Sequence, residues 1–174
     1  MYRNILVINL MHLGDLMLVT PVLRTLRHNY PEARITLLAD RILADIVQEN
    51  RNIDECLLID KKGRDRSFLG ILRFAWRLRK RKYDLVVNLH RNERSSALAA
   101  LSGGKCIVGY AKPGFALFFD HVSPDQHPVM HEVHSHYAAL RAAGVMRDWR
   151  CGCRPPPRKK RGGSGRSISH RRIG

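Results

Sequence analysis

The strongest constraint on this chain is a set of short, nearly unbroken apolar runs separated by helical patterns. Ile5-Leu6-Val7-Ile8, Ile35-Thr36-Leu37-Leu38-Ala39, Glu55-Cys56-Leu57-Leu58-Ile59, Leu85-Val86-Val87-Asn88-Leu89 and Cys106-Ile107-Val108-Gly109-Tyr110 are all of strand length. None alternates apolar with polar, so none can rest one face on water. Such strands belong to a parallel sheet covered on both sides. Between them lie helical patterns. Leu16, Val19, Leu23 and Leu26 predict a helix over 15–30, with Pro21 either kinking it or marking its first turn. A short helix is expected over 41–49, one over 67–82 capped by Ser67, one over 93–101 and one over 132–143. The fold class is therefore α/β: a Rossmann-like, doubly wound parallel sheet, with strand order 3-2-1-4-5.

Charge divides the chain in two. The net charge is +16, yet residues 147–174 hold ten Lys/Arg against one acidic residue. That segment, with Arg154-Pro155-Pro156-Pro157-Arg158-Lys159-Lys160-Arg161, is too polar and too rich in chain breakers to order a backbone. The expected organisation is a domain over 1–146 and a disordered Arg/Pro/Gly-rich tail over 147–174 with the composition of a shifted reading frame. No stretch nears the roughly 18 apolar residues of a membrane span, and the first strand is no secretory signal, so a cytoplasmic protein is expected.

In a doubly wound sheet the ligand crevice lies at the carboxyl ends of the strands, where the winding reverses. Here that selects the loops after the first and fourth strands, 9–15 and 88–95. The first offers His12, Gly14 and Asp15. Gly14 allows a close backbone approach. Asp15 opens a helix, either as its cap or as an ionised carboxylate able to take a proton from a hydroxyl. The second loop offers Asn88, His90, Arg91, Asn92, Arg94, Ser95 and Ser96. Two arginines beside hydroxyls at a helix start suit a phosphate or carboxylate, the alternative being a solvated helix end.

Other chemistry is poorly represented. There is no G-x-G-x-x-G after the first strand, and Ser102-Gly103-Gly104-Lys105 lacks the phosphate-loop spacing. His131-Glu132-Val133-His134 misses the i+4 spacing of a zinc helix, and His127, His134 and His136 read as surface residues at a helix start. Cys151 and Cys153 lack zinc spacing, while Cys56 and Cys106 read as small buried hydrophobes. No metal and no cofactor are expected. The 67–82 helix puts Phe68, Ile71, Leu72, Ala75 and Trp76 on one side and Arg73, Arg77, Lys80 and Arg81 on another. It is either the solvated outer face of the layer or a surface for an anionic membrane.

Ile5 to Leu10, Leu13-Gly14-Asp15 and Thr20-Pro21-Val22-Leu23-Arg24-Thr25-Leu26-Arg27, followed by Pro31, resemble the N-terminal half of glycosyltransferase family 9, the lipopolysaccharide heptosyltransferases. Tyr83 to Leu89, Arg94-Ser95, Val108-Gly109-Tyr110 and the segment from His131 to Gly144 continue the likeness over about 1–145. The resemblance implies a GT-B architecture and metal-free, inverting transfer of heptose from ADP-heptose to a lipid-linked lipopolysaccharide precursor. It implies that Asp15 is the catalytic base and that Arg94 and Ser95 lie near the acceptor; the reading of the two crevice loops adds His12, Gly14, Asn88 and Arg91 as acceptor-binding candidates. The donor domain has no counterpart here, so the chain is expected to be inactive alone. Peripheral contact with the inner face of the inner membrane fits this reading. The alternative is a non-enzymatic module whose basic tail contacts nucleic acid or an anionic membrane, without sequence specificity.

Overall fold

Ile5, Leu6, Val7 and Ile8 are all fully buried, although successive strand residues face opposite sides. The strand they form, β1 (Asn4–Ile8), is therefore covered on both faces, as its unbroken apolar sequence requires. A computed structural model describes residues 2–11, 13–44, 50–63, 65–123, 132–142 and 144–145. For the helical residues Leu13, Asp15, Leu16, Glu132, Ser135, Ala138, Ala139 and Ala142 it describes the backbone alone. The expected tail over 147–174, with Cys151 and Cys153, lies outside the described residues, as do His127 and His131.

β1 is followed by α1 (Leu13–Asn29), β2 (Arg34–Asp40), β3 (Glu55–Ile59), α2 (Phe68–Arg79), β4 (Leu85–Asn88), α3 (Glu93–Leu101), β5 (Cys106–Gly109), β6 (His121–Val122) and α4 (Glu132–Ala142). The sheet runs β3-β2-β1-β4-β5-β6, and every neighbouring pair is parallel. Ile5 and Val7 pack with Val19, Val22, Leu23 and Leu26 of α1 and Leu140 of α4 on one face. Leu6 and Ile8 pack with Phe74, Ala75 and Leu78 of α2 and Leu98 and Ala99 of α3 on the other. This is the doubly wound arrangement the apolar runs predict.

Several details differ from expectation. Pro21 sits well inside α1, not in its first turn. The expected 41–49 helix begins as a 3₁₀ turn, Arg41–Leu43, and residues 45–49 lie outside the described ones. The connection after β5 contains a 3₁₀ turn (Pro113–Phe118) and the two-residue β6. Two residues have no period to detect, so the sixth strand leaves no trace in the sequence. Cys56 and Cys106 do lie in strands but are only partly buried. Burial, with the nearby Glu55 carboxylate, pushes the Cys56 thiol up to about 11. His136 is buried rather than superficial, its ring 6.0 Å from that of Tyr110. His134 is exposed.

Candidate active site

β1 and β4 are neighbours, and their last residues, Ile8 and Asn88, stand opposite each other. The Leu89 N–H donates to the Ile8 carbonyl at 3.0 Å and the Asn9 N–H to the Leu38 carbonyl at 3.0 Å. The two following loops therefore leave one edge of the sheet side by side. Each runs into a helix, α1 or α3, so two helix N-termini meet at the point where the winding reverses. The dipole at a helix N-terminus favours negative charge there.

In the first loop the Asn9 side chain accepts from the Met11 N–H at 3.0 Å, closing a tight turn. Gly14 is exposed in the first turn of α1. A Cβ there would meet nothing within 4 Å, so neither conformation nor packing in the fold demands glycine at this position. Asp15 follows it in the same turn. The Asp15 carboxylate and all of His12 lie outside what is described.

The second loop is held by its own polar side chains. Asn88 is fully buried. Its amide donates to the Tyr110 carbonyl and its oxygen accepts from the His90 N–H at 3.4 Å. Asn92 caps α3, accepting from the Ser95 N–H at 2.8 Å. Ser95 is fully buried, with its hydroxyl 2.9 Å from the His90 carbonyl and 3.0 Å from that of Asn92. Asn88 and Ser95, expected on the acceptor side, thus fix the shape of the loop and are closed to solvent. Arg91 lays its guanidinium over the Tyr110 ring, 3.9 Å from the centroid. Arg94 donates to the Lys61 carbonyl at 3.2 Å and the Arg66 carbonyl at 3.3 Å. Both arginines are held in place at the same edge.

Sequence reasoning missed Lys61. Its ammonium lies 2.8 Å from the Asp40 carboxylate and also donates to the Leu10 carbonyl. It ties the ends of β2 and β3 to the first loop. The one signal available was its position two residues beyond the end of a strand. Among the described residues no group of three His, Cys, Asp or Glu is placed to hold a metal ion. No helix among them is long and apolar enough to cross a membrane. Among the described residues, hollows also lie near the amino ends of the strands, one of about 360 Å³ lined by Arg27, Glu32 and Asp54.

No family model matches the chain. Over 78 residues it is 38% identical to "Lipopolysaccharide heptosyltransferase 3" of Escherichia coli (strain K12), a match covering 44% of this chain and 23% of that protein. The crystal structure of a family 9 glycosyl transferase from Veillonella parvula DSM 2008 superposes with a TM-score of 0.77 at 36% identity, over 83% of this chain and 42% of that one. The chain is related to glycosyltransferase family 9. The structure of Escherichia coli ADP-heptose lipopolysaccharide heptosyltransferase II gives a TM-score of 0.65 over 87% of this chain and 44% of that one. Its 22% identity speaks for the shared fold alone. This chain spans under half the length of these solved structures and about a quarter of the curated relative.

Proposed function

We propose that this chain is the acceptor side of a heptosyltransferase-type glycosyltransferase of lipopolysaccharide core biosynthesis. In this reading heptose passes from ADP-heptose to a hydroxyl of a lipid-linked acceptor sugar, with inversion at the anomeric carbon. Single displacement asks three things of an enzyme: a base for the acceptor hydroxyl, a fixed acceptor, and a held leaving group. Asp15 is the base. Its carboxylate takes the hydroxyl proton as the acceptor oxygen bonds to the anomeric carbon and the bond from that carbon to the ADP oxygen breaks. The electron pair leaves with ADP. Its position at the start of α1 keeps the carboxylate ionised.

Arg91 and Arg94, with His12, hold an anionic group of the acceptor, a phosphate or carboxylate. Both guanidiniums are anchored before the acceptor arrives, so little side-chain freedom remains to be lost on binding. Gly14 leaves room for the sugar to approach the backbone. Asn88 and Ser95 act through the loop they shape. The reading names no metal and no cofactor, and it assigns the binding of ADP-heptose to a donor domain beyond this one. In this reading turnover needs that donor domain as well as this one. The reaction belongs at the cytoplasmic face of the inner membrane, where a lipid-linked precursor is presented.

The observation that supports this reading best is the pair of polar loops, each leading into a helix N-terminus, at the junction of β1 and β4. The test is to mix the chain with a matching donor domain and assay ADP release from ADP-heptose in the presence of a lipid-linked core acceptor. Restored turnover that Asp15→Asn lowers by about 10²–10⁴-fold, with the fold intact, supports it. Turnover indifferent to Asp15→Asn contradicts it.

A further inference from the structure

The outer surface of α2 is built unlike the solvated back of an α/β layer. Gly70, Phe74, Ala75 and Leu78 face the sheet. This corrects the sequence expectation, which grouped Phe68, Ile71, Leu72, Ala75 and Trp76 as one side. In the structure Phe68 is 72% exposed, Leu69 76%, Trp76 58% and Leu72 37%. At 100° per residue these four fall within one ~100° stripe pointing away from the sheet. Arg73, Arg77 and Lys80 fall beside it and are exposed. Residues 66–82 hold seven Lys/Arg and not one Asp or Glu.

From this geometry we infer that α2 is a docking face for an anionic lipid bilayer. An exposed stripe of two large aromatics and two leucines is costly in water and matches the depth at which an amphipathic helix lies between headgroups and acyl chains. Aromatic side chains favour that boundary, and the Lys80 ammonium rests 3.4 Å from the Trp76 ring centroid, so cation and ring reach the interface together. The neighbouring arginines meet anionic headgroups. Arg73 keeps one partner, the buried Asp65 carboxylate at 3.7 Å.

A second domain closing over the active site would not cover the whole stripe. The segment begins at the carboxyl edge of the sheet, where the Arg66 carbonyl accepts from Arg94, and ends at the amino edge, where the Arg81 carbonyl accepts from Asn4 at 2.8 Å. Trp76 and Lys80 lie in the half nearer the amino edge, away from the proposed acceptor loops. The inference does not depend on the sugar-transfer reading, because vesicle binding and ADP release are measured separately.

The test uses the full chain carrying Trp149→Phe, which leaves Trp76 as its single tryptophan. It is mixed with vesicles of phosphatidylcholine and phosphatidylglycerol, or of phosphatidylcholine alone, with brominated acyl chains. The expected result is a blue shift and bromine quenching of Trp76 on the anionic vesicles. Phe68→Ser with Leu69→Ser should abolish the quenching while the circular dichroism stays unchanged. Arg77→Gln or Lys80→Gln should weaken that quenching-detected partitioning about fivefold each. Sedimentation with anionic vesicles while Trp76 stays unquenched would assign binding to the basic tail and overturn the inference. So would failure to bind. A blue-shifted Trp76 without lipid, together with a concentration-dependent mass, would give the face to a second copy and overturn it as well.

Discussion

Ile8 and Asn88 face each other across the ladder between β1 and β4, and each is the last residue of its strand. That register brings together two loops separated by nearly eighty residues of sequence. Asn88 then carries the alignment outward, bonding to both Tyr110 and His90 from a fully buried position. Asn88→Ala leaves the Tyr110 carbonyl without that partner and should cost about 1–3 kcal/mol. Urea unfolding should show a lower midpoint with an unchanged slope. An unchanged midpoint would mean that the amide does not organise the loop.

Two glycines should respond in opposite ways. Gly109 has φ +121°, and a Cβ there would lie 2.0 Å from the Asn88 carbonyl oxygen. Gly109→Ala forces the β4–β5 pairing apart and should cost several kcal/mol, roughly the scale of a large core defect, or prevent folding. Gly14→Ala meets open space in the first turn of a helix. It should leave the thermal midpoint unchanged or slightly raised. In the mixed donor–acceptor assay the same change should raise KM for the acceptor, because the added methyl fills room the sugar needs. Unchanged kinetics would remove Gly14 from the site.

Acid should loosen the start of the sheet. The Lys105 ammonium holds the Asp84 carboxyl below its ordinary value of 3.8. Burial opposes this, and the Arg3 and Asn4 N–H groups, each 3.1 Å from the carboxylate, reinforce it. A depressed folded-state value means the unfolded chain binds the proton more readily. The stabilisation is thus complete above the unfolded carboxyl's value and is lost as pH falls below it, through the folded value. Unfolding midpoints measured from about pH 5 down to about pH 2 should fall for the parent chain. Asp84→Asn should be less stable at neutral pH and fall less steeply. Parallel curves would contradict the assignment.

The contribution of the segment around Val145 is testable by truncation. Val145 is fully buried, its N–H donates to the Leu140 carbonyl at 3.0 Å, and its own carbonyl accepts from the Tyr30 hydroxyl. A chain ending at residue 146 should keep the parent's thermal midpoint, while one ending at 143 should melt earlier. Equal midpoints for the two would show that Val145 contributes nothing.

Much of this fold was legible in the sequence because its strands are buried on both faces. The limits of β3 and α3, the Ser67 cap and the order of the first five strands follow from apolar runs and their punctuation. Helix α2 shows what such patterns miss. It carries apolar residues on two sides, and periodicity alone cannot say which side meets the sheet. The small Gly70 goes inward while Phe68 and Leu69 go outward. Asn88 and Ser95 mark the corresponding limit at the site. Polar residues in a crevice loop resemble ligand contacts, yet these two are consumed by backbone groups the loop leaves unpaired. Lys61 belongs to no motif. Its role arises from the meeting of three strand ends.

The most direct test of the central claim is an amide NMR titration of the isotopically labelled chain with a deacylated lipopolysaccharide core acceptor. Saturable shifts clustered at Gly14, Asp15 and the Arg91–Ser95 turn are expected, with Arg94→Gln weakening the affinity. No shifts at these residues, or shifts confined to the opposite edge around Tyr2, Tyr30 and Ala33, would contradict it.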